Sequence, residues 1–160
     1  MIGDHRQRDG IRGGGHISWR GIHWWPPPGA TDLDLAIPEK LRDGYAEAMR
    51  ALSAKAPRGA VVLLRRAVEG VVRDRGGIAA VKTLDDKTLA AALKVMAEEG
   101  TLDGSLAEWA AEIRLTANVG AHFDPTDDVD DAEAEDLARL TRQLLHYLYE
   151  LPAQLKRARH

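Results

Sequence analysis

The stretch from residue 131 to residue 155, DAEAEDLARLTRQLLHYLYELPAQL, decides the fold class of this chain. Its leucines recur at intervals of three and four residues, which places them on one face of an α-helix. The leucines of this stripe are Leu137, Leu140, Leu144, Leu148, Leu151 and Leu155. We expect the helix to begin near Asp131, and we expect Pro152 to kink or end it. An apolar stripe of this length requires other helices to cover it.

The preceding residues supply those helices, because their apolar positions keep helical spacing from residue 37 onward. The predicted helices cover residues 38–52, 56–75, 85–99 and 105–124. No segment of useful length alternates apolar and polar residues with a period of two, as a half-buried strand would. The sequence therefore predicts an all-α bundle of about five helices with short connections.

Residues typical of helix ends mark several of these boundaries. The pair Gly76-Gly77 closes the second predicted helix, and Gly100 closes the third. Ser105, with Glu108 three residues later, predicts a capping box at the start of the fourth helix. Pro125 forbids the continuation of that helix.

Residues 1–30 differ from the rest of the chain, being rich in glycine, arginine and histidine and ending in a run of prolines. We interpret them as a flexible and then extended arm, followed by a helical domain over residues 31–160. Pro26 to Pro28 favour polyproline II geometry. Trp24 and Trp25 are candidate binding residues that pack on the domain surface, reach a partner protein or stack on the bases of RNA.

Composition excludes several classes of protein. The net charge of −3 does not suit a chain that binds nucleic acid along its whole length. No cysteine is present, which removes disulfides and cysteine-based zinc sites and favours a cytoplasmic setting. No apolar run is long enough to cross a membrane. The acidic segment 124–136 lacks the spacing of a calcium-binding loop, so we expect neither a metal nor another cofactor.

A stripe of polar residues interrupts the fourth predicted helix, in EIRLTANVGAHFDP, residues 112–125. Arg114, Asn118 and His122 are spaced four apart and therefore share a helix face. Arginine and asparagine can hold a phosphate while histidine acts as general acid or base, which are the parts needed for metal-free cleavage of RNA. Alternatively, the asparagine and histidine cap carbonyl groups near the end of the helix.

A second polar set lies in LLRRAVEGVVRDR, residues 63–75. Arg65 and Arg66 precede Glu69 by four and three residues, so either arginine can pair with it on the helix surface. A pair of this kind on an apolar helix either specifies packing or binds a ligand. Arg66 and Glu69 are therefore candidate binding residues.

The order of the segments resembles DUF4145, a bacterial and phage domain family of unknown function. The similarity runs from about Trp25 to Pro152 and includes IPEKLRDGYAEA, LLRRAVEGV, WAAEIRLTANVGAH and HYLYELP, of which the last two are the most specific. This family is usually grouped with the HEPN superfamily of helical domains. Many HEPN members are metal-independent ribonucleases of defence systems, and others are non-catalytic binding or dimerisation modules. The resemblance also implies that an arginine of the second helix and Glu69 face inward.

The chain departs from the active HEPN pattern at one position. Active members typically carry Arg-Asn-x-x-x-His, and here Asn118 and His122 are present while Ala117 stands where the arginine belongs. We therefore interpret the chain as a non-catalytic HEPN-like interaction and dimerisation module in a phage or bacterial defence context. Leucines of the last helix in excess of the core would form a homodimer seam. The alternative is a metal-independent endoribonuclease that uses His122 with Arg114 and Asn118.

Overall fold

The computed structural model describes residues 32–113 and 129–160, and every regular element within these two ranges is helical. The prediction of an all-α chain is therefore confirmed for the described residues. A π-helical turn, His146–Glu150, joins the last two helices. The α-helices are α1 Glu39–Ser53, α2 Pro57–Arg75, α3 Ile78–Asp86, α4 Leu89–Glu98, α5 Gly104–Glu112, α6 Asp131–Leu145 and α7 Leu151–Ala158.

Helix α2 is the centre of the bundle and packs against α1, α3, α4 and α6. Its Leu64, Val68, Val71 and Val72 are fully buried. Valine is a weak helix former, so the burial of this face outweighs local propensity here. Helices α1 and α2 approach closely at Gly70, where a Cβ atom would lie 2.7 Å from Leu41 Cδ2.

The third predicted helix, residues 85–99, begins too early, and the structure has a further helix over residues 78–86 that was not predicted. Helix α3 begins at Ile78, directly after Gly77, and ends at Asp86. Helix α4 then begins at Leu89, where the hydroxyl of Thr88 accepts a hydrogen bond from the amide of Ala91 at 3.1 Å. The predicted helix included residues 85–88 because the Thr88 cap contains neither glycine nor proline to mark the boundary. The predicted stop at Gly100 is confirmed by its left-handed φ of 78°.

The predicted capping box at Ser105 is also wrong. Helix α5 begins one residue earlier, at Gly104, and its N-cap is Asp103. The Asp103 carboxylate accepts a hydrogen bond from the amide of Ser105 at 2.8 Å. Aspartate and serine are equally good caps, so the position nearest the preceding turn takes the role.

The C-terminal helix neither ends at Pro152 nor remains α-helical up to it. The backbone widens into the π turn His146–Glu150 and resumes as α7, with Pro152 in its first turn. A proline has no N–H to donate to the carbonyl four residues earlier and its ring collides with that carbonyl. The wide turn lies directly before Pro152, where that hydrogen bond would be missing.

This turn changes which side of the helix the leucine stripe occupies. A π turn contains about one residue more than an α turn, so α7 is rotated by about 100° relative to an uninterrupted helix. Leu140 and Leu144 are fully buried, Leu151 is half-buried, and Leu155 is 52% exposed. The stripe that appears continuous in the sequence is therefore divided between the core and the surface.

Candidate functional site

The predicted site residues fall into two groups. Arg114, Asn118 and His122 lie outside the described residues, as do Trp24 and Trp25 with the rest of the arm. Their predicted roles therefore stay predictions.

Arg66 and Glu69 lie within α2, and the structure separates them. Glu69 is bonded to Arg65, whose Nε lies 3.2 Å from its Oε1. Both side chains of this pair are partly shielded, with 25% and 35% exposure. The side chain of Arg66 is exposed. The partner of Glu69 is thus the arginine four residues earlier, and this pair lies at the margin of the core.

Sequence reasoning missed a polar cluster around Glu150, the last residue of the π turn. Its carboxylate is 5% exposed and accepts hydrogen bonds from Arg142 Nη1 at 2.9 Å and from the amide of Asp34 at 3.1 Å. His146 Nδ1 lies 2.9 Å from the same carboxylate. The signal that could have revealed it is the spacing of Arg142, His146 and Glu150 at four-residue intervals on an apolar helix.

The cluster holds Glu150 in its ionised form. Burial alone raises the pKa of this carboxyl, but the hydrogen bonds from Arg142, His146 and the Asp34 amide outweigh burial and lower the pKa below its ordinary value. An ionised carboxylate that accepts hydrogen bonds from other groups of the same chain is suited to stabilising the fold. It is not suited to donating a proton near neutral pH.

Asp34, near the start of the domain, is bonded to two residues near its end, Glu150 and Arg157. Its carboxylate receives two hydrogen bonds from Arg157 Nη2 and one from Nη1, at 2.9 to 3.0 Å. The same carboxylate accepts a hydrogen bond from the backbone amide of Ala36 at 2.8 Å. The side-chain hydrogen bond from Arg157 is the main cause of the lowered pKa of Asp34. Residues 32–37 are thereby fixed against the C-terminal helix.

A groove with aromatic walls lies between α1, α5 and α6, with a volume of about 580 Å³. We call it the aromatic groove. Its apolar lining consists of Tyr45, Met49, Leu52, Trp109 and Ala138. Charged and polar side chains of α6 surround it, namely Glu135, Arg139, Arg142 and Gln143. An apolar floor with a polar rim is typical of surfaces that bind other polypeptide segments.

A second depression, of about 430 Å³, runs along α7. Its apolar residues are Tyr147, Leu148, Leu151, Pro152 and Leu155, and we call them the α7 face. Arg75 lies at one side, 4.4 Å above the ring of Tyr149. The Tyr149 hydroxyl donates a hydrogen bond to Asp74 at 2.6 Å, and burial together with this bond raises the pKa of the tyrosine. The ring and Asp74 thus hold Arg75 at the edge of the α7 face.

Within residues 32–113 and 129–160, no three side chains of the metal-binding types are grouped as an ion would require. Over the same two ranges, no helix combines the length and the apolar character that crossing a bilayer demands.

The fold and these surfaces define a helical bundle domain with internally paired polar groups and two apolar depressions. The sequence profile of a family described as a domain of unknown function, DUF4145, matches residues 46–160. The match covers most of the chain, and the chain belongs to this family. No curated protein and no solved structure matches this chain.

Proposed function

We propose that the chain is a non-catalytic, HEPN-like interaction module that forms a homodimer through the α7 face. The observation that carries the proposal is the exposure of Leu155 beside the half-buried Leu151 on the helix that follows the π turn. Leu155, which is 52% exposed, lies in one depression with four other apolar residues, and a contiguous apolar surface of this kind indicates that another molecule covers it.

The spacing of the α7 face favours a second copy as that molecule. Tyr147, Leu151 and Leu155 all line the depression along α7, and Leu151 and Leu155 lie four residues apart on one side of that helix. In a two-fold dimer a residue contacts its own counterpart only on the symmetry axis, and away from the axis two different residues contact each other reciprocally. An antiparallel pairing with Leu151 on the axis would place Tyr147 opposite Leu155 of the second copy. Two copies of the α7 face can therefore pack against each other, and no different partner chain is needed.

The dimer is tested by the variant Leu155→Glu. A carboxylate at position 155 would be buried without a partner against Tyr147 of the second copy, so we expect the variant to be monomeric while the wild-type chain is a dimer. Light scattering after size-exclusion chromatography, over a series of concentrations, measures the change. The matched control is Leu35→Glu, because Leu35 is 81% exposed and lies outside the α7 face. A monomeric wild-type chain, or equal loss of dimer in both variants, contradicts the proposal.

The non-catalytic part of the proposal is tested with RNA. We expect the purified chain, incubated in EDTA with structured RNA, to leave the RNA intact, since Ala117 replaces the arginine of active HEPN members. Gel electrophoresis of the RNA provides the measurement. If RNA is cleaved and the cleavage disappears in a folded His122→Ala variant, the chain is instead the metal-independent endoribonuclease that uses Arg114, Asn118 and His122. The defence context of the module rests on the family resemblance.

A further inference from the structure

We propose that residues 24–28 of the same chain, Trp-Trp-Pro-Pro-Pro, occupy the aromatic groove. One indole would insert between the side chains of Tyr45, Met49 and Trp109, and the prolines would lie across the rim. This docking site is separate from the α7 face and does not depend on the proposed dimer.

The chemistry of the groove suits this segment. Tyrosine, tryptophan and methionine side chains form its lining, and aromatic rings pack well against other rings and against thioether sulfur. Proline-rich segments bind aromatic-lined grooves because polyproline II geometry is formed in advance and little further entropy is lost. Arg142 at the rim can lie over an indole face, which adds a cation–π contact.

The position where the arm joins the domain brings the segment to this groove. Asp34 is fixed by Arg157 and by the carboxylate of Glu150. Asp32 and Leu33 lie around the same depression as Arg142, and Arg142 also lines the aromatic groove. The domain end of the arm therefore lies beside the groove rim.

The length of chain available is sufficient for the arm to reach the groove. Residues 26–31 separate Trp25 from Asp32. In polyproline II geometry, at about 3.1 Å for each residue, this segment spans about 20 Å. A helix is about 10 Å in diameter, so the segment can cross the width of α6 and enter the groove.

The test uses the full-length chain labelled with 5-fluorotryptophan and observed by fluorine NMR. The chain has four tryptophans, and Trp109 is the one in the groove, so its resonance is identified with a Trp109→Phe variant. We expect the double variant Trp24→Ala/Trp25→Ala to shift the Trp109 resonance. The matched control Trp19→Ala changes a tryptophan of the same arm and is expected to leave the resonance in place. An unchanged Trp109 resonance in the double variant would overturn the proposal. That result is expected if residues 114–128 cover the groove, or if no segment covers it.

A second measurement distinguishes the chain's own arm from that of a second copy. Dilution of the wild-type chain is expected to leave the Trp109 resonance unchanged, because the docking is intramolecular. A shift on dilution toward the position seen in the double variant would assign the arm to a neighbouring copy and overturn the proposal.

Addition of the free peptide RGIHWWPPPGAT, residues 20–31, provides a binding control. We expect the peptide to return the Trp109 resonance of the double variant toward its wild-type position. The wild-type chain, whose groove is filled, is expected to respond at much higher peptide concentrations. Equal titration of both proteins would show an open groove in the wild-type chain and contradict the proposal. Thermal melting of each variant verifies that the bundle is folded.

Discussion

Replacing Leu144 with alanine is expected to destabilise the chain by about 2 to 5 kcal/mol. Leu144 is fully buried in α6, and truncation removes apolar contacts and leaves a cavity among close-packed neighbours. Domains of this size are stable by about 5 to 15 kcal/mol, so the variant loses a large part of its stability. Urea unfolding monitored by circular dichroism measures the difference.

The matched control is Leu155→Ala, in the same predicted stripe and with the same side chain removed. Leu155 is 52% exposed beyond the π turn, so we expect its truncation to cost about 0.5 kcal/mol or less. The measurement is made on dilute protein, where association does not add to the apparent stability. Equal losses at the two positions would mean that both leucines lie in the core, and the rotation attributed to the π turn would then be wrong.

Replacing Glu150 with glutamine is expected to lower the free energy of unfolding at neutral pH by about 1 to 3 kcal/mol. The substitution keeps the shape of the side chain but removes the charge that Arg142 and His146 contact. Breaking a fully buried charge pair lowers the free energy of unfolding by more than this. Here the side chains of Arg142 and His146 are 33% and 41% exposed, so water can solvate them once the Glu150 charge is removed. Urea unfolding at neutral pH gives the value.

The pH dependence of this variant has a definite sign. The pKa of Glu150 in the folded chain lies below its ordinary value of 4.5, so its contribution is complete above about pH 4.5. The contribution is lost as the pH falls through the lowered pKa of the folded chain. Wild-type stability should therefore fall toward that of Glu150→Gln in acid, and the two curves should converge. A difference that persists at low pH would mean that packing, and not charge, accounts for the effect.

A surface variant provides the comparison for this experiment. Asp136 pairs with Arg139 at 3.2 Å, but the two side chains are 52% and 66% exposed. Exposed pairs of this kind contribute little to stability. We expect Asp136→Asn to change the stability much less than Glu150→Gln at neutral pH.

The sequence was sufficient to predict the helical class and most helix positions, because each depends on spacing within a short window. The stripe of apolar residues in α2 and the start of α6 at Asp131 are local features of this kind. The start of α4 was placed too early because a threonine cap resembles an ordinary surface residue, and the short helix α3 was not predicted. The start of α5 was misplaced because Asp103 and Ser105 are both competent caps.

The surfaces were harder to predict because they depend on contacts between distant residues. The amide of Asp34 meets Glu150, 116 residues later in the chain, and no local pattern reports such a contact. The aromatic groove likewise draws Tyr45 and Trp109 from separate helices. The exposure of Leu155 was missed for a different reason: helical periodicity was extended through residues 146–150, where the backbone does not follow it.

The π turn makes the length of the last helix, and not its composition, the determinant of which leucines meet solvent. Deleting one residue between positions 146 and 150 would restore the α-helical phase and rotate Leu151 and Leu155 by about 100° about the helix axis. An insertion or deletion that alters no apolar residue can therefore change which leucines of the last helix are exposed. When related chains are aligned, a gap within this turn indicates that the residues after it face a different side of the helix. This holds even where every leucine is retained.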